Sequence, residues 1–168
     1  MLTARTIATH AMSTTPVPLI ESGQLYELSR SLEAHEGFVD VVAALAAGQV
    51  ATLDGVWGSS CALVAAQLLR TAPATLVLVC PHQRDVDDLC DDLALFTPAN
   101  VRRFPAWESE RGDQILHDEI FGDRIRLLKS LASDDHPAAI VTSIQSLLQP
   151  VPSRRLVNEN TRRIETGT

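Results

Sequence analysis

Many nucleotide enzymes grip phosphate with a loop of the form G-x-x-x-x-G-K-[ST], set between a strand and a helix. Its last glycine lets backbone N–H groups close on the phosphate, its lysine neutralises the β and γ oxygens, and its hydroxyl holds magnesium. Gly55-Val56-Trp57-Gly58-Ser59-Ser60-Cys61-Ala62 has the placing of such a loop, but the three decisive positions are Ser60, Cys61 and Ala62. A thiol in place of the ammonium removes a charge-assisted contact of roughly 1.5–3 kcal/mol, and alanine offers magnesium nothing. A working site also needs an acid at the end of a neighbouring strand, whereas the clearest strand candidates end in Cys80-Pro81 and Thr142-Ser143. The loop is therefore read as vestigial, with no cofactor and no catalytic residue assigned. Taken alone, Gly55 and Gly58 are what any strand-to-helix turn uses.

Other reactive side chains offer less. Asp85, Asp88, Asp91 and Asp92 fall on one polar helical face that no histidine shares, so solvated carboxylates are expected there and not a metal site. Cys61, Cys80 and Cys90 are odd in number and form no C-x-x-C pair, which matches neither a disulfide framework nor a zinc knuckle and fits a reducing cytoplasm. Net charge is -7, with 4 basic and 11 acidic residues in the first 100 positions and 10 of each afterwards. The front half should repel nucleic acid. Arg102-Arg103, Arg154-Arg155 and Arg162-Arg163 are adjacent pairs that read first as solvated surface. The apolar runs fall far short of the roughly 20 residues that cross a bilayer, so no membrane partner is expected.

The elements that would position these residues alternate. With 168 residues and 45% hydrophobic composition, one α/β domain is expected, preceded by a disordered leader over 1–22 and occupying 23–168. Helical spacing covers 24–32 and 38–47, the second closed by Gly48. Residues 49–53 alternate as a strand before the glycine turn, and an Ala/Leu-rich helix starts at Ser59. Residues 75–80 form a β-branched run expected to be a central strand covered on both faces. An amphipathic helix follows over 85–96, with Val86, Leu89, Cys90 and Leu93 inward. Then come a short strand over 101–104 and a polar loop through Gly112. The next helix covers 118–131 with Phe121, Ile125, Leu128 and Leu131 inward, ahead of a buried strand over 138–142. Such alternation predicts a parallel sheet with helices on both faces, and ligands at the carboxyl ends of its strands. Residues 162–165 read as the start of one more strand with nothing left to cover it, so the domain is expected to be incomplete at its C-terminal end.

Four segments, in order, resemble the amino-terminal domain of the bacterial transcription-repair coupling factor, itself similar to the excinuclease B protein. They are Gly58-Ser59-Ser60-Cys61-Ala62-Leu63, Asp91-Asp92-Leu93-Ala94-Leu95-Phe96, Phe104-Pro105-Ala106-Trp107-Glu108, and the string from Ile140-Val141-Thr142-Ser143 through Gln149-Pro150-Val151-Pro152. The last two are the most specific. The family commonly continues Trp107-Glu108 with an aromatic and proline-containing stretch, where this chain has Ser109-Glu110-Arg111-Gly112-Asp113. The resemblance implies a degenerate RecA-like helicase lobe, and a full-length ATP-driven DNA translocase that displaces stalled RNA polymerase and recruits excision repair. The excinuclease, RNA polymerase and DNA would be partners through that larger protein, and later domains would pack against this one. On this reading the segment is a non-catalytic scaffold with Arg102, Arg103, Phe104 and Trp107 as candidate contacts. The alternative is a nucleotide hydrolase with an unconventional phosphate loop.

Overall fold

A computed structural model describes residues 22–107, 118–133 and 135–162. The chain opens with α1 (Ser22–Leu28), a 3-10 turn (Ser29–Ala34) and α2 (Glu36–Ala46). Gly48 ends α2 with φ at +72°, which turns the Gly48 amide to the Leu45 carbonyl and the Gln49 amide to the Ala44 carbonyl, each at 2.9 Å. That is the paired hydrogen bonding with which a left-handed glycine closes a helix.

Three parallel strands follow in the spatial order β1-β3-β2: β1 (Leu76–Cys80), β2 (Val101–Phe104) and β3 (Ala139–Ser143). Between them run α4 (Arg84–Phe96) and α5 (Asp118–Ser130), while α3 (Ser59–Thr71) precedes β1. The outward step from β1 to β2 uses α4 on one face and the return to β3 uses α5 on the other, as crossovers of a single hand require. Alternation along β3 serves both faces. Val141 packs with Ala62, Ala65 and Ala66 of α3 and with Val86 and Leu93 of α4, whereas Ile140 meets Phe104 of β2 and Leu127 of α5. The alanines of α3 let its backbone lie close to α4 and the sheet. Two short helices, α6 (Ile144–Leu148) and α7 (Arg154–Glu159), complete the chain, capped by the hydroxyls of Ser143 and Ser153.

Four expectations are corrected. The 75–80 strand is not central: among the described residues β1 lies at an edge, and the strand buried along its whole length is β3. An unbroken apolar run signals burial without fixing strand order; the crossover that returns from β2 inserts β3 between the first two strands. Residues 49–53 form no strand, for they join no strand among the described residues and Val50 is 95% exposed. Alternation makes a strand only where a neighbour supplies hydrogen bonds and a face to bury. The inward line of α5 runs through Arg124, Leu127 and Leu128, leaving Phe121 and Leu131 largely exposed. The helix is rotated because a guanidinium, counted as outward by charge, is buried. Ser22, placed in the leader, is the first residue of α1. The rest of the leader, the loop beyond Trp107 and residues 163–165 lie outside the described residues. Among the described residues no helix is long and apolar enough to cross a membrane.

Candidate functional site

Two places on the carboxyl side of the sheet hold the residues singled out from sequence. The first is the glycine turn before α3. Gly55 has φ at +76° and Gly58 has φ at +54°, so both positions need glycine, and Gly58 caps the helix. Two amides of the turn are already committed. The Ser60 amide donates to the Trp57 carbonyl at 3.2 Å and the Cys61 amide to the Gly58 carbonyl at 2.9 Å. In a phosphate loop those N–H groups would face the ligand. Ser59, Ser60 and Cys61 are exposed, while Ala62 is wholly buried in the core between α3, α4 and the sheet. The position that would carry the metal-binding hydroxyl is thus a packing position. Trp57 projects from the same turn, 80% exposed.

The second place is where β2 and β3 end. Arg124 of α5 is only 2% exposed, and its guanidinium carbon sits 4.1 Å from the centroid of the Phe104 ring and 5.0 Å from that of Trp107. Its Nη1 donates to the Pro105 carbonyl at 2.6 Å and to Ser146 Oγ at 2.8 Å. Burial pushes the guanidinium pKa down from its ordinary value, but arginine starts so high that the charge persists. Cation–π contact and charge-assisted donation to a carbonyl offset that desolvation.

A ring of neutral groups fixes the same strand end. Gln83, at the start of α4, accepts from the Ala106 amide at 3.0 Å and from Ser143 Oγ at 2.9 Å. Gln149 accepts from the Trp107 amide at 2.6 Å and returns a hydrogen bond to the Trp107 carbonyl at 3.0 Å. Ser146 Oγ donates to the Pro105 carbonyl, and Thr142 Oγ1 to the Phe104 carbonyl, both at 2.9 Å. All three strands are thereby tied together at their carboxyl ends through the segment Phe104-Pro105-Ala106-Trp107.

The proposed contact residues are therefore dispersed. Phe104 is buried under Arg124 and belongs to the core, which corrects its reading as an exposed anchor. Trp107 is half-buried between Arg124 and Phe121, its ring 5.8 Å from that of Phe121. Arg103 is held by Asp87 at 3.1 Å and Asp123 at 3.3 Å, and those carboxylates raise its pKa. Arg102 is exposed and borders a cleft of about 540 Å³ along the outer side of β2. Sequence reasoning missed Arg124, Gln83, Ser146 and Gln149. The available signals were an arginine three residues before a buried leucine and a serine three residues after a capping serine.

Among the described residues no group of three His, Cys, Asp or Glu side chains is placed to hold a metal. No protein-family model matches the chain, and no curated protein matches it. What the arrangement can do chemically is hold three strand ends rigid with Trp57 and Trp107 beside them, while Arg102 lies apart, toward the amino end of β2.

Proposed function

We propose that this chain is the amino-terminal lobe of a transcription-repair coupling factor, a RecA-like fold in which the nucleotide loop is vestigial and the lobe acts as scaffold and docking surface. The observation that carries the reading is the mutual dependence of the two most family-specific strings. Pro105 and Trp107 of one are hydrogen-bonded to Ser146 and Gln149 of the other, so each string needs its partner in place. The turn before α3 adds support, since its Ser60 and Cys61 amides are spent within the chain and its hydroxyl position is a buried methyl. A phosphate loop freed from nucleotide can keep its glycines for their backbone geometry while the rest of its chemistry is lost.

On this reading ATP-driven translocation on DNA, displacement of RNA polymerase and recruitment of excinuclease belong to other parts of a larger cytoplasmic protein. This lobe contributes packing against later domains, with Arg102 and Trp107 as its contacts. Titration with a fluorescent ATP analogue and magnesium should give no saturable signal into the millimolar range. Micromolar binding would replace the scaffold reading with that of a nucleotide hydrolase. The positive test is a graft in which residues 23–168 replace the first lobe of a known coupling factor. Displacement of stalled RNA polymerase should survive, and its loss in a graft that folds and still hydrolyses ATP would overturn the proposal.

A further inference from the structure

We draw no further inference here: the strongest candidate, the apolar groove between α5 and α7 lined by Phe121, Ile125, Leu156 and Val157, carries nothing because nothing in the structure shows what covers it.

Discussion

Arg124 is the residue whose sequence reading and structural role differ most. Charge alone assigns it to solvent, and in most helices that assignment holds. Here the residue after a strand is Pro105, whose carbonyl keeps its full accepting capacity and has no amide beside it, and two aromatic rings frame the space above. A planar guanidinium satisfies that carbonyl and stacks on the rings together, which an ammonium cannot do. Arg124→Lys should therefore destabilise the fold by about 2–4 kcal/mol, combining the lost stack with one charge-assisted hydrogen bond. Urea denaturation followed by Trp fluorescence measures this, and a loss within about 0.5 kcal/mol of zero, the range of an ordinary surface change, would show that the stack is incidental. Cys90 provides a second test. Burial, then the charge of Asp87, pushes its thiol from 9.0 up to about 11. Because the folded state holds the proton more tightly, the associated stability is complete below pH 9.0 and is lost as pH rises through about 11. Denaturation midpoints should fall across that window, and Cys90→Ala should flatten the decline. Cys80, raised by burial in the same sense, accounts for a remaining slope.

Elements were legible in the sequence where their periodicity was carried by burial. α4 places Val86, Leu89, Cys90 and Leu93 inward as the spacing requires, and β2 and β3 stand within a residue of their expected limits. Residues 49–53 failed because strand formation is a property of a pair and the pattern describes only one member. The helix α3 shows a subtler case. Its start at Ser59 and its glycine cap were readable, but not that the amides of Ser60 and Cys61 would turn back onto Trp57 and Gly58. This sets an expectation for Cys61→Lys, which restores the missing charge without restoring the cradle. The variant should fold normally, since Cys61 is exposed, and should still fail to bind Mg-ATP in the micromolar range by titration calorimetry. Tight binding would mean that the amides can be released and that one side chain alone silenced the loop.

At the scale of the whole molecule, strand order decides which apolar residues matter. The sequence offers two similar runs, 75–80 and 138–142, and nothing in their composition says which is enclosed. The connection lengths permit either order. What selects the observed one is that β2 returns through α5 on the opposite face, so β3 must fill the place beside β1 and is covered from both sides. Its Val141 is fully buried against α3 and α4, while Val77 on β1 is half in water. The same truncation should therefore have different costs in the two strands. Val141→Ala should cost about 2–3 kcal/mol, since two buried methyls are lost and the surrounding alanines cannot move in to fill the space. Val77→Ala should cost below about 1 kcal/mol, since the side chain is already half exposed. Equal losses in urea denaturation would mean that β1 is enclosed in solution. The sheet would then continue past it within the monomer, and β1 would be central after all.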